Sequence, residues 1–195
     1  MNDTVLTGSI LIPLLVSVAF ISIYVYKKRE QETFRAYQPQ ALKRNGMVRK
    51  DKNGYIKLFI RQDNTEIAVG RIPRQHGIGG TLFQCRLPGK LKGAIQIATR
   101  GKGILPESKD REISSGDDFE RVFIVKSEDG NAVRQLLSVE VRSELMKLNS
   151  FAVWLRVRDD EFDFFALKWL FSQEELDVFI DAALQTLRQM KTLLG

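Results

Sequence analysis

The feature that most constrains this chain is an uncharged run near its N-terminus. Residues 5–26 read VLTGSILIPLLVSVAFISIYVY, 22 positions without a charge, and Lys27, Lys28 and Arg29 follow at once. A helix of this length rises about 33 Å, because each residue adds about 1.5 Å, and the hydrocarbon core of a bilayer is about 30 Å thick. The run therefore predicts a transmembrane anchor over residues 1–26.

A cleaved signal peptide is the alternative interpretation of this run. The preceding residues, MNDT, contain Asp3 and no Lys or Arg, and no A-x-A-like cleavage site precedes Lys27. A signal peptide has a positively charged start and such a site, so a retained anchor is favoured. Because Lys and Arg collect on the cytoplasmic side of a span, the charges after the run predict a single-pass protein whose N-terminus is outside and whose domain is cytoplasmic.

Residues 27–52 are predicted to form a basic juxtamembrane linker. They contain nine Lys or Arg against three acidic residues, and Pro39 and Gly46 interrupt them. Basic residues beside an anionic leaflet are attracted to its headgroups. Contact with anionic lipid headgroups is therefore a hypothesis for five residues of this segment: Lys27, Lys28, Arg29, Lys43 and Arg44.

Residues 53–195 are long enough to bury a core, and they predict a single cytosolic α+β domain. Alternation of apolar and polar residues, as at Ile56, Leu58 and Ile60, indicates strands. Strands are predicted near residues 55–61, 66–72, 81–87, 94–100, 119–126, 151–158 and 162–169. The strand at 119–126 is interpreted as central, because it is apolar on both faces. Residues 74–80 and 101–118 are predicted loops.

Helical spacing of apolar residues indicates the remaining elements. Two short helices are predicted within residues 132–148, the second of them capped by Ser138. Ser172 and Glu175 fit a capping box, and apolar residues then recur at helical spacing toward the C-terminus. The expected fold is an antiparallel or mixed sheet with two short helices and a long C-terminal helix packed on it.

One stretch, between Asp117 and Leu148, has a pattern of acidic, aromatic and leucine positions. An Asp-Phe-Glu opening leads a strand, an acidic turn follows, and then come an Ala-x-x-x-Leu-Leu helix and the helix capped by Ser138. This pattern resembles a family of bacterial membrane-anchored proteins of unknown function. The similar proteins usually have two membrane helices and a proline after the capping residue, where this chain has one predicted anchor and Val139. The resemblance implies a membrane-anchored α+β domain in a bacterial inner membrane and carries no activity.

The single histidine and the single cysteine give no catalytic pair. The glycine-rich segment at residues 76–80, which begins with His76, leads into a predicted strand, whereas a phosphate loop leads into a helix N-terminus. A flexible loop is therefore favoured. Cys85 shares the inward face of its predicted strand with Phe83 and Leu87, which is typical of a structural cysteine.

Two further groups have a functional and a structural interpretation. Four clustered carboxylates offer oxygens to a divalent cation, but they lack the spacing of a calcium loop, so a solvated hairpin tip is favoured. These residues are Asp159, Asp160, Glu161 and Asp163. Trp154 and Trp169 are interpreted as sheet-packing residues rather than as a stacking platform for bases.

No catalytic, cofactor-binding or metal-binding motif is present, and no cofactor is predicted. The leading hypothesis is a membrane-anchored protein whose domain is an interaction or accessory module for an unidentified protein partner. A membrane-anchored enzyme of unknown reaction is the alternative. Binding of nucleic acid or anionic lipid through the basic N-terminal half is a second alternative, based on that half and on a pI near 9.5. Nucleic acid is disfavoured, because basic flanks of membrane helices are common for topological reasons alone.

Overall fold

The structure, a computed structural model, describes residues 3–75, 78–101, 112–113 and 117–194, with the backbone alone for 3–13, 73–75 and 78. The described strands are β1 (Met47–Lys50), β2 (Ile56–Gln62), β3 (Thr65–Gln75), β4 (Ile78–Arg86), β5 (Ile95–Thr99), β6 (Phe123–Ser127), β7 (Val153–Arg158) and β8 (Glu161–Ala166). The described helices are α1 (Asp3–Lys43), α2 (Asp118–Val122), α3 (Gly130–Leu136), α4 (Val139–Met146) and α5 (Gln173–Leu194).

The strands pair in one antiparallel sheet, in the order β1-β2-β3-β4-β8-β7-β5-β6. The β2–β3 hairpin turns through Asp63 and Asn64, whose φ angles are 45° and 61°. Two positive φ angles give the turn geometry that matches the twist of paired strands, and Asp and Asn tolerate it well. The predicted α+β class is confirmed, and the sheet is antiparallel.

The C-terminal helix α5 packs on the sheet as its apolar spacing predicts. The backbone N–H of Glu175 donates to Ser172 Oγ at 3.1 Å, which is one half of the predicted capping box. Phe179 is fully buried and stacks on Phe164 of β8 at a centroid distance of 5.1 Å. The helices α3 and α4 also pack against α5, so this helix holds one face of the sheet together with the shorter helices.

The N-terminal helix α1 is continuous over 41 residues, and its C-terminal part packs against β1, β2 and α5. The buried positions recur at intervals of three and four residues, which places them on one face of the helix. They are Thr33, Ala36, Tyr37, Gln40 and Ala41. This part of α1 therefore belongs to the domain.

The end of α1 is fixed by Asn45 and Gly46. Asn45 has a φ of 49°, and the N–H of Gly46 donates to the carbonyl of Ala41 at 2.8 Å, which closes the last turn. A Cβ at residue 46 would lie 2.4 Å from the carbonyl oxygen of Phe59, so only glycine allows this close approach to β2. The chain then turns directly into β1.

Residues 27–52 do not form the predicted linker. They continue α1 to Lys43 and then form β1, which pairs with β2 through Met47 opposite Phe59. The prediction failed because the packed face of the helix is small or polar, and its exposed face is charged. The domain therefore includes much of the segment that the sequence assigns to a tether.

The predicted transmembrane anchor is wrong. Within the residues that the structure describes, no helix is long and apolar enough to cross a membrane. The single-pass topology, the outside N-terminus, the cytoplasmic placement of the domain and the bacterial inner-membrane location rested on this anchor, and they fall with it.

The predicted central strand at 119–126 is also corrected. Residues 118–122 form α2, because Asp117 caps the helix by accepting from the N–H of Glu120 at 3.3 Å. The strand β6 begins only at Phe123, and it lies at the end of the sheet rather than in its centre. Its alternating burial is that of a strand covered on one face.

Two predicted loops lie partly outside the described residues. His76 and Gly77 are not described, whereas β3 extends to Gln75 and β4 begins at Ile78, so the strands are longer than predicted. Of the predicted loop at 101–118, the structure describes residues 101, 112, 113, 117 and 118, and Glu112 forms an isolated antiparallel β-bridge with Lys126 of β6.

Candidate functional site

A cavity of about 190 Å³ lies between α1, the β1–β2 connection, β3 and the segment after β8. The side chains that decide its chemistry come from α1, from the β1–β2 connection, from β3 and from the chain after β8. They are Tyr26, Arg29, Glu30, Tyr55, Arg71 and Trp169. The cavity therefore combines aromatic walls with two guanidinium groups and one carboxylate.

Arg71 of β3 is half-buried and is held by α1 and by two aromatic rings. Its Nη1 donates to Thr33 Oγ1 at 2.6 Å, and that hydroxyl donates in turn to the carbonyl of Arg29 at 2.8 Å. The guanidinium carbon lies 4.3 Å from the ring centroid of Trp169 and 4.6 Å from that of Phe171. Contacts of this kind fix the orientation of a guanidinium fork.

Trp169 is positioned by backbone contacts on both sides of it. Thr81 Oγ1 donates to the carbonyl of Lys168 at 3.1 Å and accepts from the N–H of Leu170 at 2.9 Å. The indole Nε1 of Trp169 donates to the carbonyl of Ile72 at 3.1 Å. With the backbone of both neighbours and its own ring nitrogen hydrogen-bonded, Trp169 presents its ring as a fixed wall of the cavity.

The cavity has a positive charge that carboxylates only partly offset. Glu30 pairs with Lys50, since Glu30 Oε1 and Lys50 Nζ are 2.6 Å apart. Among the described residues, neither Arg29 nor Arg71 has a carboxylate oxygen within 4.0 Å. Burial lowers the pKa of Arg71 and the charge of Arg29 acts in the same direction, whereas Tyr37 and Glu32 oppose them. The two guanidinium groups therefore repel each other without an ion-pair partner.

Behind this site lies Tyr37, whose side chain is fully buried. Its hydroxyl has no hydrogen-bond partner among the described residues. Burial raises the pKa of Tyr37 above its ordinary value, while the charge of Arg71 works against that rise, so the phenol lies within electrostatic range of the guanidinium. Leaving a buried hydroxyl unpaired costs about 1–3 kcal/mol.

The five residues of the lipid-headgroup hypothesis do not form one patch. Lys27, Lys28 and Arg29 are exposed on α1, and only Arg29 lines the cavity. Lys43 and Arg44 lie at the other end of the helix, about 24 Å further along it. They form ion pairs with α5, so they are held by the domain. Headgroup contact by these residues stays a prediction.

Arg44 is the centre of the contact between α1 and α5. Its Nη2 lies 2.9 Å from Asp177 Oδ1 and 2.6 Å from Asp181 Oδ1, and 8% of its side chain is exposed. Lys43 Nζ lies 2.9 Å from the same oxygen of Asp177. Burial opposes ionisation of Asp177, but hydrogen bonds from Lys43, Arg44 and Gln40 outweigh it and lower its pKa. The network fixes α1 to α5.

The other residues that the sequence singles out have structural surroundings. Cys85 packs against the core, and burial raises the pKa of its thiol to about 12, which keeps it protonated and unreactive at neutral pH. Trp154 is half-buried on β7, with the guanidinium carbon of Arg156 at 5.4 Å from its ring. This placement fits sheet packing.

The acidic residues of the β7–β8 hairpin separate into ion pairs. Asp163 lies 2.5 Å from Arg156, and Asp160 lies 3.8 Å from Arg86. In the described part of the chain, no three His, Cys, Asp or Glu side chains are grouped so that they could hold a metal ion. The hairpin tip therefore gives no support for a cation site.

A second feature is the exposed N-terminal part of α1, residues 14–29, which we call the arm. Every described side chain of the arm is exposed. Its ten large apolar side chains are between 39% and 69% exposed, and they include neighbours such as Leu14 and Leu15 or Phe20 and Ile21. Consecutive residues point about 100° apart, so apolar side chains surround the arm on all sides.

Comparison with known proteins adds information on the fold. No family model and no curated protein matches the chain, so the resemblance to bacterial membrane-anchored proteins stays a prediction. One solved structure, of the mycobacterial trehalose monomycolate transport factor A, TtfA, is similar over 84% of this chain and 96% of its own. The TM-score is 0.60 at 10% sequence identity. At that identity the similarity establishes a shared fold and no shared activity.

Proposed function

We propose that this chain is a non-catalytic accessory factor that binds another protein through the arm. The observation that carries the proposal is the complete exposure of the arm's apolar side chains. A helix that is apolar around its whole circumference is stable when another apolar surface surrounds it. The partner is therefore a different protein that offers a groove or bundle of apolar helices.

A second copy of this chain fits the arm less well. Two arms packed against each other would cover one stripe of each helix, because a pair of helices meets along a seam. The apolar residues on the opposite side would stay in water. A groove formed by several helices covers all sides, so we favour a different protein over self-association.

The continuity of α1 gives the proposed contact a mechanical consequence. The helix has no described break between the arm and the part that packs on β1, β2 and α5. Arg44 and its carboxylate partners fix that part to α5. A partner that holds the arm would therefore also set the orientation of the α+β domain.

The similarity in fold to TtfA supports an accessory role for this chain, but it supports no particular partner or ligand. TtfA is named as a transport factor for trehalose monomycolate. A transport factor has an accessory role, and only that class of role enters the proposal. The lipid in the name of that protein is not part of the proposal.

The test is photo-crosslinking of the full chain in its native cell. A photoreactive amino acid replaces Leu15, Phe20 or Ile21, which lie roughly 100–140° apart around the arm. Phe34 is the matched control, because it is an exposed aromatic residue on the same helix beyond the arm. We expect the three arm positions to capture one common protein and the Phe34 position to capture none.

The captured protein is then purified and titrated with the full chain. Phe20→Glu should weaken binding at least tenfold, because it places a charge in an apolar contact, whereas Phe34→Glu should leave the affinity unchanged. Crosslinks only to lipid, only to a second copy of this chain, or equally from Phe34 would each refute the proposal.

A further inference from the structure

The strongest unexplained feature of the molecule is the pair of arginines that face the cavity without a carboxylate partner. Arg29 and Arg71 both lie near the ring of Trp169, with guanidinium carbons 5.7 Å and 4.3 Å from its centroid. Two like charges held near one ring are unfavourable unless an anion lies with them. Arg71 is also half-buried, which adds to the cost of its charge.

The site is organised before any ligand arrives. Thr33 accepts from one guanidinium nitrogen of Arg71, and the rings of Trp169 and Phe171 flank its guanidinium group. The remaining N–H groups of Arg71 make no hydrogen bond to the described residues. A fixed guanidinium fork with unused donors matches the oxygen spacing of a phosphate or a carboxylate.

Charge and shape favour phosphate over carboxylate. A carboxylate carries one charge and two oxygens, whereas a phosphate monoester carries about −1.5 to −2 charge near pH 7 and three acceptor oxygens. The larger charge suits two guanidinium groups. The phenol rings of Tyr26 and Tyr55 and the indole of Trp169 then form walls for the group that the phosphate carries.

The size of the cavity limits that group. At about 190 Å³ it is smaller than the pockets of roughly 300–1,000 Å³ that bind drug-sized ligands. Glu30 also faces the cavity, but Lys50 offsets its charge at 2.6 Å. The space therefore fits a phosphate that is carried on a small body.

We propose that Arg29, Arg71 and Trp169 form a binding site for a small phosphate monoester in the cavity beside α1. The ester is either a free metabolite or the headgroup of a lipid, and its recognition chemistry is the same in both cases. Arg29 is also the last residue of the arm, but the titration below contains no partner protein, so its outcome does not depend on the proposed contact with that partner.

The experiment titrates the full chain with glycerol 3-phosphate and follows tryptophan fluorescence. The chain has two tryptophans, so Trp154→Phe leaves Trp169 as the single reporter. We expect a saturable change in fluorescence, and glycerol as the uncharged probe should give none. Isothermal titration calorimetry on the unmodified chain checks that the reporter substitution does not create the signal.

Three variants test the arginines. Arg71→Gln should weaken binding about tenfold or more, because it removes charge-assisted hydrogen bonds to the ligand. Arg29→Gln should weaken it severalfold. Arg35→Gln is the matched control, since Arg35 is exposed on the same helix and does not line this cavity, and it should leave the affinity unchanged. If Arg71→Gln fails to fold, judged by circular dichroism, the comparison of Arg29→Gln with Arg35→Gln decides.

Dihexanoyl phosphatidic acid below its micelle concentration distinguishes the two sources of the phosphate. Tighter binding than glycerol 3-phosphate supports a lipid headgroup, and equal or weaker binding supports a free metabolite. Absence of saturable binding by both probes overturns the proposal. So does an equal loss of affinity in Arg29→Gln and Arg35→Gln, because a diffuse electrostatic effect would then explain the binding.

Discussion

The arm and the packed part of α1, residues 30–43, are two regions of one helix in opposite surroundings. In the arm, large apolar residues such as Phe20 are exposed to water. In the packed part, the buried stripe contains Thr33, Gln40 and Tyr37, and the apolar Leu42 is 75% exposed. Apolar character along this helix therefore does not indicate which part belongs to the domain.

The comparison teaches that burial of α1 depends on the shape of its partners. Small residues such as Ala36 and Ala41 allow the helix to lie close to β1 and β2. The buried amide of Gln40 is hydrogen-bonded, because its Nε2 donates to Gln173 Oε1 at 2.8 Å. Among the described residues, the arm meets the domain at Tyr26 and Arg29, and its other apolar side chains stay exposed and available for a partner.

The largest expected difference between the two regions is the loss of stability when an aromatic side chain is truncated to alanine. Tyr37→Ala should destabilise the domain by about 3–5 kcal/mol, because it leaves a cavity in a fully buried site. Phe20→Ala should change stability by less than about 0.5 kcal/mol, because Phe20 is 69% exposed. Urea unfolding followed by circular dichroism measures both. Equal effects would mean that the arm also packs on the domain.

The next effect concerns the attachment of α1 to α5. Arg44→Gln should cost about 1–2 kcal/mol, because it leaves Asp177 and Asp181 without their main partner in a partly solvated place. Arg35→Gln, on an exposed part of the helix, is the control and should have little effect. Equal stability of the two variants would show that apolar packing alone holds α1.

Asp177 adds a pH dependence to this contact. Its pKa is lowered in the folded protein, so the stability from its ion pairs is present above the ordinary pKa of about 4 and is lost as the pH falls through the folded value. Asp177→Asn should flatten the acid side of the stability profile. An unchanged acid profile would indicate that other carboxylates determine it.

Local signals in the sequence were sufficient for much of the sheet and for α5. The alternation from Ile56 and the capping box at Ser172 each involve residues close together in the chain, as does the Asp63-Asn64 turn that the structure shows. Each of these features depends on backbone conformations and hydrogen bonds that involve only those neighbouring residues. For this reason the hairpin, the C-terminal helix and the α+β class were predictable.

Long-range contacts explain the errors. The packed part of α1 looks like a charged linker, because its burial depends on β1 and α5 rather than on its own apolar residues. The cavity was not predictable, because Arg71 meets Trp169 across 98 positions of sequence. Arg29 and Trp169 were noticed separately, for lipid contact and for sheet packing, and no local pattern joined them.

A smaller effect on stability is expected at high pH, and it comes from Tyr37 in the packed part of α1. The raised pKa of Tyr37 keeps its phenol neutral in the folded protein, whereas the unfolded chain ionises it above about pH 10. Stability from this group is therefore full below that pH and is lost as the pH rises toward the folded value. Tyr37→Phe should remove this alkaline loss without lowering stability at pH 7, because the hydroxyl has no described partner. A parallel alkaline loss in the variant would contradict the assignment to Tyr37.

The smallest expected effect on stability comes from cutting the helix between its two regions. Lys27, Lys28 and Arg29 lie on the exposed arm, whereas Lys43 and Arg44 are held by ion pairs with α5. A segment whose side chains are all exposed opens at low free energy, so trypsin should cleave at 27–29 well before 43–44. The product that begins at residue 30 should have a free energy of unfolding within about 0.5 kcal/mol of that of the full chain, since no side chain of the arm is buried in the domain.

Mass spectrometry identifies the first site of cleavage, and urea unfolding measures the stability of the product. Early cleavage at 43–44 would mean that the packed part is no better anchored than the arm, and protection of 27–29 by the crosslinked partner would show that the partner reaches the end of the arm.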